Sequence, residues 1–383
     1  MKKQVTIIYT DELLPYCAAV INLNQALCET GNFDVKIVTY SPRWCRIRLS
    51  LNNIYYENRS WIIRKYVKFG RWSALLILRL LLKQRQPALS WKIIREMTSR
   101  NHHIVKAIDT ALNRRIDWNS IIIAVDPAAG FAASLKTDSF IFLSLELYEN
   151  DLLANLIPLE KIKLLIIQSE VRKNILFPSY RGHWSLLPNT PIFKEREIPQ
   201  RRKGNLVFAG TALENFGFKD VLRFLRERQD FNLTHFGFCP ESMKKIIHDE
   251  FGNLILERRV TLDSGYRSAE ELLMDLSSFW IGLCFYRVDL VAPDLRSNYL
   301  TAPSGKLANY LAAGLPVICS DIPACEFVRD RNCGVLIPDV EVESIEHAIA
   351  EIEKSYDIMC KNSLQVAREM CFSRHIGAVI DCM

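Results

Sequence analysis

Ser304, Gly305 and Lys306 open the helical pattern KLANYLAAG, and together they have the chemistry to hold a phosphate. A helix start offers N–H groups with no intrahelical acceptor and the positive end of the backbone dipole, and lysine adds a full charge. Ser304 is also a good helix cap, so a capped helix with nothing bound is the competing reading. Gly210 ends the run NLVFAG and Thr211 follows it. A glycine there lets the main chain approach a phosphate, or simply makes the turn. Two carboxylates complete the set. Asp126 ends SIIIAVD, and Glu146 lies with Glu149 in SLELYEN. Either would orient or deprotonate an acceptor hydroxyl, and Asp126 would equally serve as a helix cap.

These residues need elements to position them. QVTIIYT (4–10) reads as a buried parallel strand, AAVINLNQALCETG as a helix closed by Gly31, and DVKIVTY (34–40) as a second strand. That is the opening of a doubly wound sheet. SIIIAVD (120–126), SFIFLSLEL (139–147) and KLLIIQS (163–169) are apolar runs that each end in a polar residue. Ligands collect at the carboxyl ends of such strands, which puts Asp126, Glu146 and Ser169 near one cleft. The proline-bearing, mixed-charge segment 185–205 is the best interdomain linker. NLVFAG then restarts the alternation, through the helix FKDVLRFLRER, the strand FNLTHFG and the Ser-capped helix SAEELLMDLSS. The strands FWIGLCF, PVICS and CGVLIPD follow, with the KLANYLAAG helix placing Leu307, Tyr310 and Leu311 on one face and ending at Gly314. The reading is two α/β domains, 1–195 and 196–365, and a C-terminal helix, 366–383, placed for a return to the first.

The chain has 383 residues, more than the roughly 250–300 at which one core stops growing. Its eleven cysteines show neither CxxC nor a zinc-like Cys/His cluster and read as reduced structural thiols in a cytoplasmic protein. MKKQVTIIYTDELL reads as a first strand rather than a signal peptide. His102, His103 and His183 read as surface or structural histidines. Net charge is +6 but unevenly spread: residues 41–106 carry +13 and the remainder −7. As a helix, 61–87 would set Arg64, Lys68, Arg71, Arg79 and Lys83 on one face, with leucines, Ile and Trp opposite. It carries too much charge to span a bilayer. An interfacial helix facing anionic lipid is one reading, a solvated basic face the other. No nucleic-acid-binding module is recognisable. No GxGxxG follows the first strand, which disfavours an NAD oxidoreductase.

Residues 303–337, PSGKLANYLAAGLPVICSDIPACEFVRDRNCGVLI, resemble the nucleotide-sugar half of GT-B glycosyltransferases, in particular the family-4-like group. That group's pattern is roughly S-P-x-K-x-x-E-Y-x-A-A-G-x-P-V-I, a loop, and a Gly before a short strand. NLVFAGTALENFGFKDVLRFL resembles its first C-domain strand, loop and helix, and LLPNTPIF (186–193) its P-N-G-x-D segment. LDSGYRSAEELLMDLSSFWIGLCFY resembles a further segment. The similarity covers about 186–350, and the N-terminal half by layout alone. It departs at the family's two acids spaced E-x7-E, which here are Thr301 and Asn309, and at the basic residue of the K-G segment, where FGF (216–218) stands. An Asn amide can still hydrogen-bond a ribose hydroxyl.

The resemblance implies a GT-B architecture, two Rossmann-like doubly wound domains facing a cleft. It implies a donor nucleotide-diphosphate sugar held by Gly210, Thr211, Tyr266, Arg267, Arg287, Ser304, Gly305 and Asn309. Tyr266 would stack on the base, and Lys306, Arg287 or Arg267 would neutralise the diphosphate. Asp126, Glu146 and Lys306 are the catalytic candidates. The implied reaction moves a sugar to a hydroxyl of a glycan or lipid-linked glycan, in surface polysaccharide or lipopolysaccharide synthesis. It would be retaining, with no metal and no cofactor. The implied location is cytoplasmic, peripheral on the inner face of the cell membrane, with an anionic membrane surface as partner and no nucleic acid. Two alternatives stand beside it: a nucleotide-sugar epimerase of the same fold, and a non-catalytic nucleotide or glycan binder.

Overall fold

The computed structural model describes residues 2–9, 14, 17–40, 53–57, 115–146, 154–195, 199–265, 267–291, 293–301 and 304–383. Arg64, Lys68, Arg71, Arg79, Lys83, Glu149 and Tyr266 lie outside the described residues.

The first compact unit is built on β1 (Lys3–Tyr9), β2 (Phe33–Tyr40), β3 (Ile54–Glu57), β4 (Ile121–Val125), β5 (Phe140–Ser144), β6 (Ile162–Ile167) and β7 (His183–Leu186). Their order in the sheet is β3-β2-β1-β4-β5-β6-β7. The β1–β2, β2–β3, β1–β4 and β4–β5 pairs are parallel. Near-continuous Ile, Val and Phe runs, rather than alternation, build these strands because helices cover both faces of such a sheet. Val5, Ile7, Ile8, Ile123, Val125 and Phe142 are accordingly buried. The order reverses between β1 and β4, and their register sets Tyr9 beside Val125.

The second unit holds β8 (Asn205–Ala209), β9 (Asn232–Phe236), β10 (Val260–Asp263), β11 (Ile281–Cys284), β12 (Val317–Ser320) and β13 (Gly334–Ile337). The sheet runs β10-β9-β8-β11-β12-β13, every neighbouring pair parallel. This is the doubly wound order of a dinucleotide-binding domain, with its crevice between the first and fourth strands, here β8 and β11. One face is covered by the helices Phe218–Glu227, Glu241–Leu256 and Val342–Lys354, through Phe218, Leu222, Leu254, Ile345 and Ile349. The other is covered by the helices Ala269–Leu276 and Gly305–Ala312, through Leu273, Leu276, Leu307 and Leu311.

The units divide differently from the expected break near 195. The first comprises Met1–Ile166, Tyr180–Trp184 and Cys382–Met383, and the second Ile167–Ser179 and Ser185–Asp381. The first two residues of the supposed linker, Ser185 and Leu186, belong to strand β7 (His183–Leu186), whose four residues contain no proline. The chain end also differs. Tyr356–Met370 and Phe372–Asp381 are separate helices of the second unit, and only Cys382–Met383 group with the first. There the Met383 carbonyl accepts from Lys3 Nζ at 3.3 Å. The described cysteines are free thiols.

Candidate functional site

The crevice of the second unit is assembled from three strand ends and one helix start. Ser304 caps the Gly305–Ala312 helix, its hydroxyl accepting from the Leu307 N–H. The capping alternative is therefore realised, and it leaves the Gly305 and Lys306 N–H groups without intrahelical acceptors. Tyr310 clamps the helix to the sheet. Its buried hydroxyl accepts from the Ala209 N–H at 2.6 Å and donates to the Leu283 carbonyl at 3.1 Å, tying the helix to β8 and β11 at once. Asn189, from the LLPNTPIF segment, packs on the helix start, where a Cβ on Gly305 would lie 3.2 Å from its Nδ2.

Lys306 reaches back from this helix into a cage of rings. Its Nζ lies 4.2 Å from the centre of Phe216, 4.7 Å from Tyr286 and 5.2 Å from Phe208. Ring faces attract a cation but cannot accept its hydrogen bonds as an anion does. Among the described residues Lys306 has neither a hydrogen bond nor an ion pair. Burial lowers its pKa from the ordinary amine value. The other two expected diphosphate cations are already engaged. Arg287 pairs with Asp220 at 3.0 Å and Asp289 at 2.9 Å. Arg267 pairs with Asp263 and Asp275 and stacks 4.3 Å from the centre of Phe236. Both guanidiniums thus stiffen loops at the crevice, and Lys306 is the unpaired cation of the three.

The loop after β8 faces the same lysine. Gly210 adopts φ +113°, a region closed to side chains, and a Cβ there would sit 3.9 Å from Lys306 Cδ. Its N–H donates to the Phe236 carbonyl. Buried His235 donates from Nε2 to the Gly210 carbonyl at 2.7 Å; the acceptor fixes the tautomer, leaving Nδ1 without a partner. Burial lowers the pKa of His235, so it holds this carbonyl as a neutral ring. Gly237 lies against it, where a Cβ would meet the Gly210 oxygen at 2.2 Å. Thr211 makes no hydrogen bond among the described residues, so its N–H and hydroxyl remain available beside Gly210.

At the two positions of the family's acids, Asn309 is half-buried with no side-chain partner among the described residues, whereas Thr301 is built into the scaffold. The Thr301 hydroxyl donates to the Ser297 carbonyl at 2.7 Å and accepts from Arg172 Nε at 3.1 Å. Buried Arg172 also donates to the Asn298 carbonyl and side chain. Ser169 caps the Glu170–Leu176 helix and donates to the Thr301 carbonyl at 2.7 Å. Ser169 groups with the second unit and stands two positions past the end of β6.

In the first unit, Asp126 stands at the end of β4 with φ +64°, an uncommon conformation for a residue other than glycine. It is the first residue of the Asp126–Ser134 helix, and its Oδ1 accepts from the Leu145 N–H at 2.8 Å and the Glu146 N–H at 3.4 Å. Asp126 therefore orients the turn after β5, and Glu146 is exposed at that turn. Cys17 precedes the Ala18–Glu29 helix nearby. Burial pushes its thiol up to about 12, and the Asp126 and Glu146 carboxylates add to the rise.

The sequence pointed to Gly210, Ser304, Gly305 and Lys306, and the fold brings these together. It did not point to His235, Gly237, Asn189 or the ring cage. The one usable signal was FGF at 216–218: where the family has a basic residue, Phe216 and Phe218 hold the hydrophobic environment of Lys306 and β8.

Residues 249–379 match the family model of the glucosyltransferase 3-like C-terminal domain. No protein of curated function matches the chain by sequence. Among solved structures it is similar to Anabaena HepE in complex with UDP, with 12% identity, a TM-score of 0.62 and 100% of each chain covered. It is similar to an E. coli trehalose-6-phosphate structure bound with UDP-2-fluoro glucose, at 10% identity and TM-score 0.61, over 99% of this chain and 98% of that one. A protein from Listeria monocytogenes proposed to be a UDP-N-acetylglucosamine 2-epimerase aligns at 13% identity and TM-score 0.51, over 96% and 94%. The family match thus spans residues 249–379, and the whole chain shares its two-domain fold with these structures.

Proposed function

We propose that the protein transfers a sugar from a nucleotide-diphosphate sugar to a hydroxyl of a glycan or lipid-linked glycan. The observation that carries this reading is the unpaired, ring-caged Lys306 ammonium at a helix start opposite Gly210. A diphosphate supplies the anion this arrangement lacks. Lys306 and the helix N–H groups would then stabilise the charge that develops on the leaving diphosphate. Asn309 is assigned to the ribose hydroxyls, and Gly210 with Thr211 to the phosphate. Tyr266 keeps its proposed place against the base. Arg267 and Arg287 become supports for the loops around the site. On the acceptor side Asp126 acts as a positioning residue, and Glu146 is the carboxylate proposed to meet the hydroxyl.

Metal-independent, retaining chemistry and a place in surface polysaccharide synthesis belong to this proposal, on the strength of the sequence resemblance. UDP is the first nucleotide to test, since the HepE and E. coli structures carry UDP or a UDP-sugar. The epimerase reading has weaker support, its structural counterpart overlapping less closely. Thermal-shift measurement against UDP, GDP, CMP and their sugars decides the matter. A cognate nucleotide raises the melting temperature by mass action; a flat response to all of them refutes a nucleotide-sugar site.

Peripheral attachment to an anionic membrane on the cytoplasmic side is the other part of the proposal. It rests on the +13 charge of residues 41–106. Among the described residues no helix is long and apolar enough to cross a membrane. Binding to anionic liposomes should fall steeply with salt and with Arg71, Arg79 and Lys83 changed to Gln. Indifference to anionic liposomes at low salt rules the attachment out.

A further inference from the structure

At the amino ends of the strands in the second unit, opposite to the Lys306 end, a groove of about 320 Å³ crosses β8, β9 and β10. Its polar lining is Asn205, Asn232, Thr234, Thr261, Arg202 and Arg258. Asn205 and Asn232 are register partners, as are Thr234 and Thr261. Asn232 and Thr234, two apart on β9, point to the same face. That face is apolar further along, where Val207 and Phe236 pack under Leu273 and Leu276. It turns polar where the covering helix ends, so the polar patch is a distinct stretch of the sheet.

None of the six side chains has a hydrogen bond or ion pair among the described residues. This sets Arg202 and Arg258 apart from Arg228, Arg267 and Arg287 of the same unit, which are all paired with carboxylates. Arg258 is held with φ +58° just past the end of the Glu241–Leu256 helix. Glycine is the usual residue in that conformation after a helix, and a guanidinium there carries a backbone cost. Two guanidiniums flanking two carboxamides and two hydroxyls match a ligand with both a carboxylate or phosphate and several hydroxyls. Half-buried Phe279, also in the lining, offers an apolar surface for a pyranose ring.

We infer that this groove binds an anionic saccharide, at a site separate from the Lys306 crevice. The inference does not depend on the nucleotide-sugar reading, and the two are measured separately. The full chain is titrated with tetragalacturonate, maltotetraose and inorganic phosphate at low and high salt, with UDP affinity followed in parallel. Wild type should bind tetragalacturonate saturably and maltotetraose far more weakly. Arg202→Gln/Arg258→Gln should lose about tenfold or more in affinity for tetragalacturonate, as expected for removing charged hydrogen bonds. UDP affinity and melting temperature should not change, because both residues are exposed and lie at the far end of the strands. Absent tetragalacturonate binding, binding equal in the double variant, or equal affinity for maltotetraose overturns the inference. Phosphate binding as tight as that of the saccharide, at the same residues, reduces the groove to a simple anion site and also overturns it.

Discussion

Lys306→Met isolates the charge at the centre of the proposed site. Methionine keeps an unbranched side chain of similar length among Phe208, Phe216 and Tyr286, so the cage stays filled while the ammonium is removed. Stability should change little. The variant loses a cation–π attraction of about 0.5–2 kcal/mol but no longer holds a partly desolvated, unpaired ammonium. Nucleotide binding should change more. A hydrogen bond to a charged group contributes about 1.5–3 kcal/mol, which is roughly 10- to 150-fold in Kd. Calorimetric titration with UDP and with uridine separates this from a general loss of the pocket. UDP should weaken by that factor, and uridine, lacking the diphosphate, should bind the variant and the parent alike. Unchanged UDP affinity in a folded Lys306→Met protein refutes the assignment. Equal losses for UDP and uridine would instead mean that Lys306 supports the pocket's shape.

Because burial lowers the Lys306 pKa from 10.5, UDP affinity should fall on raising the pH before the ordinary lysine range is reached, and Lys306→Met should abolish that slope. Its measure is Kd across neutral to alkaline pH. Neutral His235 has its pKa lowered from 6.5, so the unfolded chain binds the extra proton first as pH falls. Stability supplied by this residue is therefore complete above about 6.5 and declines below it, and His235→Phe should flatten that part of a denaturation-versus-pH curve. Gly237→Ala drives a Cβ into the Gly210 carbonyl and should cost about 1–3 kcal/mol in chemical denaturation, with nucleotide binding weakened as well. Asn309→Leu should weaken UDP by about 1 kcal/mol or more in the same titration while Asn309→Glu is tolerated; identical binding by both would remove Asn309 from the ribose.

The sequence by itself determined the elements and several of the local turns and caps. Apolar runs such as IIIAV and FIFLS can only be strands buried on both faces, and their alternation with helices implies doubly wound sheets. Ser304 as a cap and Gly210 after β8 were legible too, because caps and positive-φ turns are local demands on single residues. The partners of the charges were not legible. Lys306, Arg267 and Arg287 look equivalent along the chain, yet Asp220 lies 67 positions from Arg287, and the Lys306 cage draws on Phe208 of β8, Phe216 of the turn after it and Tyr286 just past β11. Asp126 likewise read as a base or a cap, and only the parallel register of β4 with β5 brought the Leu145 and Glu146 amides to its carboxylate. Residue type and short-range spacing fix what a side chain can do. Which cation is left without an anion depends on contacts between distant segments, and the tertiary structure alone decides those.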